Sequence, residues 1–374
     1  MPWTAFFANG LWVLVIGLMG PSVPFIIEEF SLDYQQAGLI FTILSISSFI
    51  GTFIGGWVSD YRRRKIFWLA FLILLAAGLA AYGTAASFFM LLVTVFFMSL
   101  FGSPIGAIGQ SIMLQIFPAK RGRYLSLSTM FAAAGSFIAP LMISLVYLAG
   151  LNWRAAFYLT SIMVIGLFFL VLLSKLPQPT IGKHSSLSVF RLFIDKRIMF
   201  TGIMIFFGVG FDLGFSFWLA EYFITYAGTA AEISGFAVGC YLAGVITGRY
   251  INSRKPEHIS GWLLPAAGIG LAVVSLLLFL NISIIPLKLL FCILYGLGIA
   301  PVFPSMMAHG TAYYPERSGA VTAVLFSIMS LSGAVFPVVI GIIGRSLGIE
   351  QAYYTLLLMM IPVVIGMLVR KRFS

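Results

Sequence analysis

The sequence predicts an all-α membrane protein whose twelve transmembrane helices form two six-helix bundles. Composition is the first observation behind this fold class: of 374 residues, 61% are hydrophobic and 9% are charged, whereas a soluble domain carries about 25% charged residues. Long apolar runs are the second, because about 20 apolar residues in a helix span a bilayer. An internal repeat is the third. Strand-like alternation is absent from the sequence, so helices and not a β-barrel are expected to satisfy the backbone in lipid.

Twelve apolar runs, each long enough to cross a bilayer, account for most of the chain. The first begins at Thr4 with no basic residue before it and continues well beyond the length of a signal-peptide core, so we interpret it as a retained span. The predicted spans lie near residues 4–27, 34–58, 66–84, 87–115, 124–149, 155–174, 197–226, 232–251, 259–280, 286–309, 318–343 and 350–369.

The basic residues predict the orientation of these spans, because Lys and Arg in short loops stay on the cytoplasmic side. With the N-terminus inside, all of the 22 basic residues except Arg154, Lys288 and Arg345 fall in cytoplasmic segments. We therefore expect an integral protein of the plasma (inner) membrane with both termini in the cytoplasm. The net charge of +11 follows from this distribution, and no nucleic-acid partner is expected.

The two halves of the sequence resemble each other. Aligning Gly51 with Gly248 also aligns PAKRG (118–122) with PERSG (315–319). An even number of spans in each repeat predicts parallel halves, related by an axis along the membrane normal, with a substrate site near the midplane. The expected domains are an N-terminal six-helix bundle (1–174), a cytoplasmic linker (175–196) and a C-terminal six-helix bundle (197–374).

One loop concentrates charge in a chain that otherwise avoids it. GGWVSDYRRRK (55–65) lies between two apolar runs. It resembles the loop between the second and third helices of the major facilitator superfamily, whose pattern is a glycine, three residues, an aspartate and a basic cluster. The resemblance covers the whole chain, since it includes the twelve spans, the basic linker and NWRAAF (152–157) after helix five. The residues that fall on the family's loop positions are Gly56, Asp60, Arg64 and Lys65.

The resemblance implies that these four residues form a cytoplasmic gate. In that family the glycine lets helix two pack closely on another helix, and the aspartate with the cations latches the inward side shut. A missing Cβ does allow two backbones to approach, and a carboxylate can hold a helix N-terminus or an arginine. Tyr61 and Arg63 depart from the pattern, standing where the family usually has Arg and Gly. The alternative is that the cations serve only as topology markers.

Helix seven carries two acidic residues inside GVGFDLGFSFWLAEYF (208–223). An ionisable side chain at the centre of a membrane helix costs about 3 kcal/mol even on lenient scales, so such groups usually face a cavity. Asp212 lies near mid-span, and Glu221 follows about 13 Å along a regular helix and about half a turn around it. We interpret both as ion-coupling residues. The alternatives are a hydrogen bond to a neighbouring helix for Asp212 and a position at the outer interface for Glu221. Three glycines favour a break in this helix: Gly208, Gly210 and Gly214.

The helix-seven stretch and GLGIAPVFPSMMA (296–308) are similar to the fucose-permease-like sugar branch of the superfamily. That resemblance implies a sugar substrate. Many members of the branch also carry an acid in helix one or four, where this chain offers amides instead. Amides and aromatic rings suit hydroxyl-rich ligands with apolar faces, although each can equally serve packing between helices. The candidate substrate-binding residues are Asn9, Trp12, Gln110, Trp218, Tyr222, Tyr241 and Tyr295.

Together these observations predict a secondary active transporter that moves a small neutral polar solute, such as a sugar, by alternating access coupled to H+ or Na+. No Lys or Arg falls in the middle of a predicted span, which disfavours an anionic substrate because a buried anion needs a charge partner. The alternative is an H+-coupled multidrug or amphipathic-cation antiporter, with Asp212 and Glu221 attracting the cation. A receptor without turnover is a further possibility.

An enzyme is not expected. The three histidines are scattered without ligand spacing, and the two cysteines fall inside predicted spans, so we expect no metal and no cofactor other than the coupling ion. A phosphate-binding loop is absent from the sequence, which disfavours direct coupling to ATP. The expected partners are a small-molecule substrate and the lipid bilayer, and the chain is expected to be a monomer.

Overall fold

The computed structural model describes residues 3–59, 63–116, 121–176, 192, 194–253, 263–314 and 318–369. In the first half of the chain the helices are α1 (Trp3–Phe30), α2 (Tyr34–Ser59), α3 (Arg64–Gly83), α4 (Phe88–Ile116), α5 (Arg121–Leu148) and α6 (Arg154–Leu173). In the second half they are α7 (Lys196–Glu221), α8 (Ala231–Ser253), α9 (Leu263–Asn281), α10 (Ile285–Ile299), α11 (Val302–Ala312), α12 (Ser318–Leu347), α13 (Ile349–Met359) and α14 (Ile361–Val369), and a π-helical turn, Tyr222–Tyr226, continues α7.

The predicted all-α membrane fold is confirmed. Eleven helical stretches of the described residues are long and apolar enough to cross a bilayer. The remaining predicted span, 232–251, forms α8, a helix of 23 residues that carries both Glu232 and Arg249. Predicted and observed boundaries differ by only a few residues, because long apolar runs bounded by loops with charged or turn-forming residues leave a helix few other registers.

Two of the predicted spans each consist of two helices. Span 286–309 divides into α10 and α11, with Ala300 and Pro301 between them, and span 350–369 divides into α13 and α14 close to Pro362. Proline has no backbone N–H and its ring clashes with the preceding turn, so it interrupts the hydrogen-bond ladder. Other prolines lie inside continuous helices, including Pro104 in α4 and Pro337 in α12, so proline alone does not decide where a membrane helix breaks.

The chain divides into two compact units. The first unit comprises Met1–Leu32 and Leu39–Lys183, and the second comprises Asp33–Gly38 and His184–Ser374. The first turn of α2 therefore packs with the second unit, although the sequence assigns it to the N-terminal bundle. Most of the predicted linker, residues 177–191, lies outside the described residues.

One helix crossing occurs in both units. Gly51 of α2 faces the backbone carbonyl of Leu100 on α4, and Gly248 of α8 faces the backbone carbonyl of Leu297 on α10. In each case a Cβ on the glycine would overlap that carbonyl. The alignment that places Gly51 on Gly248 also places Leu100 on Leu297. The repeat in the sequence thus corresponds to a repeated packing contact, made close by the absent side chain.

Arg154, at the start of α6, joins this helix to the C-terminal ends of α1 and α3. Its guanidinium forms an ion pair with Glu29 of α1 and donates a hydrogen bond of 2.6 Å to the carbonyl of Gly83 at the end of α3. The indole of Trp153 donates to the same Glu29 carboxylate at 2.8 Å. The NWRAAF sequence (152–157) therefore fastens three helices of the first unit where they leave the apolar core.

Candidate functional site

Asp212 lies near the middle of α7 and is held by α8. Its partly exposed carboxylate accepts a hydrogen bond from the hydroxyl of Tyr241. Ser216, one turn further along α7, contacts the same hydroxyl. Arg249, near the end of α8, attracts Asp212 electrostatically but does not reach ion-pair distance. Asp212 is thus an acid at mid-span that is paired with hydroxyls and forms no salt bridge with the described residues.

Glu221 lies at the end of α7 in a separate polar cluster. Only 3% of the residue is exposed. Its carboxylate accepts hydrogen bonds from the hydroxyl of Tyr34 at 3.1 Å and from that of Thr225, in the π-helical turn, at 2.5 Å. Tyr34 belongs to the segment of α2 that packs with the second unit, and its ring meets Trp218 edge-on at 5.6 Å.

The predicted break in helix seven does not occur at its glycines. α7 is continuous from Lys196 to Glu221, and its glycines accommodate neighbouring side chains. A Cβ at Gly210 would meet the ring of Phe336, and one at Gly214 would meet Leu356. Because packing covers these positions, the helix stays regular past Asp212, and the irregular turn comes only after Glu221.

The aromatic substrate candidates of the second unit are all buried, with their polar atoms bound to protein groups. Trp218 donates to the carbonyl of Pro337 at 3.0 Å. Tyr295 donates to the carbonyl of Phe211 at 3.1 Å and stacks on Phe215 at 3.9 Å. The remaining two are Tyr222, whose hydroxyl accepts a hydrogen bond, and Tyr241, whose hydroxyl binds Asp212. In this structure all four contribute to the core of the unit, and a substrate would reach them only after side-chain movement.

In the first unit, Asn9 and Trp12 join α1 to its neighbours. The Asn9 amide donates to both the carbonyl and the hydroxyl of Ser128 on α5, at 3.1 and 3.0 Å. The Trp12 ring covers Gly102 and Gly106 of α4. Of the two roles open to Asn9, this geometry favours interhelical hydrogen bonding. The side chain of Gln110 lies outside the described part of the structure.

Two of the proposed gate residues bind groups in the first unit. The Lys65 ammonium donates to the carbonyls of Leu172 and Ser174 at 2.8 and 2.7 Å, and so caps the C-terminal end of α6. Arg64 is buried and donates to the carbonyl of Ser59 at 3.3 Å.

The structure gives no contact at the Cβ position of Gly56 and does not describe Asp60. A Cβ at Gly56 would meet no atom of the described residues within 4 Å, and Asp60 is not among those residues. A gate role for the four residues stays a prediction.

Lys288 is a basic residue that the sequence places toward the outer end of predicted span 286–309. It lies in the first turn of α10, only 2% exposed, among the rings of Tyr222, Tyr226 and Phe279. Its only sequence signal is a cation inside an apolar run. One aromatic partner, Tyr222, is 66 residues away in the chain, so a single sequence gives no sign of this contact.

Asp212 and Glu221 belong to separate polar clusters, and their role in ion coupling stays a prediction. Among the described residues, no three His, Cys, Asp or Glu side chains come together in a group that could hold a metal ion. Asp212 and Glu221 are each bound by neutral hydroxyls, which stabilise a carboxylate without neutralising it. A proton or a sodium ion can supply that neutralisation.

Comparison with known proteins agrees with this architecture. The TsgA homologue of Edwardsiella ictaluri (strain 93-146) is 22% identical over 260 residues, covering 68% of this chain and 65% of that protein. The hexuronate transporter of Bacillus subtilis (strain 168) is 26% identical over 229 residues, covering 56% of this chain and 53% of that protein. The alignments thus span between about half and two thirds of these relatives.

A solved structure matches over the whole chain. A bacterial homologue of the human lysosomal transporter Spinster, in an inward-facing and occupied conformation, superposes with a TM-score of 0.84 at 15% identity, covering 100% of this chain and 96% of the other. The model of the Major Facilitator Superfamily matches residues 5–337. This chain is a transporter-family membrane protein and belongs to the Major Facilitator Superfamily.

Proposed function

We propose that the protein is a secondary active transporter that moves a small neutral polar solute, of the sugar or polyol class, by alternating access coupled to H+ or Na+. It would act in the plasma (inner) membrane as a monomer, with both termini in the cytoplasm. The observation that carries the coupling is Asp212, an acid near the middle of α7 that is bound by the Tyr241 hydroxyl. Binding of a cation there would let the loaded carrier change conformation without exposing a bare charge to a low dielectric.

A neutral substrate is supported by the positions of the basic residues. A carrier of carboxylates or phosphates needs a cation at its site. Among the described residues, Lys288 is the cation buried within a span of the second unit, and its ammonium already binds Tyr222 and Phe279. One relative is named as a transporter of hexuronate, a sugar acid. Among the described residues no cation forms an ion pair with Asp212, which favours the uncharged members of that chemical class here.

A lipophilic cation exchanged for protons is the second candidate. Asp212 and Glu221 give the second unit two acids inside a span that form no ion pair with a cation among the described residues. Such acids can attract an amphipathic cation, which the many aromatic side chains can accommodate. The two candidates differ in the role of Asp212. It binds the coupling ion in the first and alternates between proton and substrate in the second.

Uptake by the full-length protein in reconstituted vesicles tests the proposal. Radiolabelled hexoses, polyols and a lipophilic cation would be offered with and without a proton gradient and with and without sodium. Asp212→Asn should abolish uphill accumulation while substrate exchange remains measurable. Full concentrative uptake by that variant would refute coupling at Asp212. Saturable transport of the cation, with no transport or competition by the hexose series, would overturn the assignment to a neutral solute.

A further inference from the structure

Lys288 is a buried cation with no role in the function proposed above. Its ammonium donates to the carbonyl of Phe279 at 2.7 Å and to the hydroxyl of Tyr222 at 3.0 Å. A lysine this close to a helix end would ordinarily extend to the membrane surface. Keeping it buried costs free energy unless the charge is well partnered.

The surroundings of Lys288 supply that partnership. Its Nζ lies 4.6 Å from the ring centroid of Phe279, 4.9 Å from that of Tyr222 and 5.6 Å from that of Tyr226, within the range of cation–π attraction. The Phe279 carbonyl is one of the last of α9 and carries the partial negative charge of a helix C-terminus. Lys288 thereby ties α9 and α10 to the π-helical turn that follows α7.

Two neighbouring side-chain pairs lie in that turn and at the residue that precedes it. Tyr222 and Tyr226 face Lys288, whereas Glu221 and Thr225 are joined by the hydrogen bond of 2.5 Å. Each pair is four residues apart and so lies on one side of the helix. The turn is wider than an α-helix, as the bond from Ala227 N to the Tyr222 carbonyl at 3.1 Å shows. Such turns are rare and depend on their surroundings.

We propose that Lys288 is a positioning residue for Glu221. By fixing the rings of Tyr222 and Tyr226, it holds the π-helical turn in the geometry in which Thr225 donates to the Glu221 carboxylate. This inference rests on the proposed role of Glu221 in ion coupling. Without Lys288 the two rings are no longer fixed and the turn becomes more mobile, so the hydrogen bond from Thr225 to Glu221 is formed for a smaller fraction of the time. The ionised carboxylate is then less well stabilised.

Lys288 and Glu221 form no ion pair among the described residues. The groups around them come from several elements. Glu221 faces Tyr34 from α2, Thr225 from the π-helical turn and Tyr353 from α13, and Lys288 faces Tyr222 and Tyr226 from that turn, Cys292 from α10 and Glu350 from α13.

The test needs no transported solute. Trp218 lies against Tyr34, so the intrinsic fluorescence of the purified full-length protein, recorded between pH 4 and 9, should report protonation of Glu221. Glu221→Gln identifies that transition by removing it. Lys288→Met should move its midpoint to higher pH by about one unit, and Lys288→Arg should restore it. Hydrogen exchange at the amides of residues 222–229 should increase in Lys288→Met.

Tyr222→Phe is the second variant, because it removes only the hydroxyl that Lys288 binds and keeps the ring. It should shift the same midpoint in the same direction. If Lys288→Met and Tyr222→Phe only lower the unfolding temperature and leave the midpoint unchanged, Lys288 is merely structural and the inference fails. A wild-type protein without a Glu221-dependent transition would also overturn it. Failure of the proposed function is separate, since it would appear as concentrative uptake by Asp212→Asn in vesicles.

Discussion

The hydroxyl of Tyr241 on α8 donates a hydrogen bond to the carboxylate of Asp212 on α7. A donor to an ionised carboxylate favours the charged form and opposes protonation. The same hydroxyl contacts Ser216, so Tyr241 stands at the centre of a small polar group inside an otherwise apolar unit. We therefore expect Tyr241 to set the pH at which Asp212 binds its ion.

Tyr241→Phe should shift the ion dependence of transport without abolishing it. A hydrogen bond to a charged group contributes roughly 1.5–3 kcal/mol, and one pH unit corresponds to about 1.4 kcal/mol. The pH midpoint of uptake in vesicles should therefore move upward by about one to two units. Tyr295→Phe is the matched control, because that hydroxyl donates to the carbonyl of Phe211 and not to an acid. Identical pH profiles for Tyr241→Phe and the wild type would show that the bond does not tune Asp212.

The two repeated glycine contacts predict that replacing either glycine by alanine destabilises its unit to the same extent. In Gly51→Ala and Gly248→Ala, the new methyl group would overlap the carbonyls of Leu100 and Leu297. Forcing the helices apart costs about 1–3 kcal/mol, more than the gain of up to about 1 kcal/mol from replacing a helical glycine by alanine. Both variants should unfold at a lower temperature than the wild type in a detergent thermal-shift assay.

Glycines with free space provide the controls for that assay. A Cβ at Gly56 in α2 or at Gly270 in α9 would meet no described atom within 4 Å. Gly56→Ala and Gly270→Ala should therefore leave the unfolding temperature unchanged or raise it slightly. Destabilisation of these two variants to the same extent as Gly51→Ala would mean that close helix approach does not explain the glycines.

The sequence was sufficient to predict the positions of the helices because the pattern that marks a membrane helix is local. An apolar run of about 20 residues and the side on which its flanking cations lie are properties of adjacent residues. The proline signal was weaker: Pro301 lies between α10 and α11, while Pro337 lies inside α12. A proline leaves the carbonyl one turn earlier without its helical hydrogen bond. Tertiary contacts decide whether a neighbouring group satisfies that carbonyl.

The partners of the polar residues could not be predicted in this way. Asp212 was found from its position in α7, but its donor Tyr241 is 29 residues away, and the Tyr34 that binds Glu221 is 187 residues away. Lys288 resembles a loop cation in sequence and is buried by three rings from other segments. A single sequence shows which residues are unusual, but the fold decides what they contact.

Substitution of Lys65 can show whether this residue has a structural role or a gate role. Lys65→Met removes the ammonium that caps α6, so it should lower the unfolding temperature more than Arg63→Met, which removes an exposed cation two residues earlier. Loss of charge-assisted bonds at a partly exposed site is expected to cost about 1–2 kcal/mol. If Lys65→Met instead slows turnover in vesicles with an unchanged unfolding temperature, Lys65 acts in the transport cycle and not on α6.

Asp195 stands just before α7, outside the apolar span, and caps that helix. Its carboxylate accepts hydrogen bonds from the backbone N–H groups of Arg197 and Ile198 at 3.0 and 3.1 Å and from the hydroxyl of Tyr314 at 2.8 Å. Partial burial is the largest single influence and raises the pKa of this carboxyl. The Tyr314 hydroxyl, the two N–H groups and the Arg197 charge together outweigh it, so the pKa lies below its usual value of 3.8.

The sign of the pH effect at Asp195 follows from that lowered pKa. A carboxyl whose pKa is lower in the folded than in the unfolded state contributes stability that is fully present above the unfolded value and is lost as the pH falls through the folded value. Asp195→Ala removes the cap at a cost of about 1 kcal/mol. The difference in unfolding temperature between wild type and Asp195→Ala should therefore be constant from pH 8 to pH 5 and shrink below pH 4. Tyr314→Phe should make that loss smaller and complete it at a higher pH, because it removes the main donor that holds the folded pKa down and leaves the unfolded pKa, at which the loss begins, unchanged. A wild-type advantage that persists unchanged to pH 3 would show that the cap is equally good when protonated, and that the charge of Asp195 does not stabilise α7.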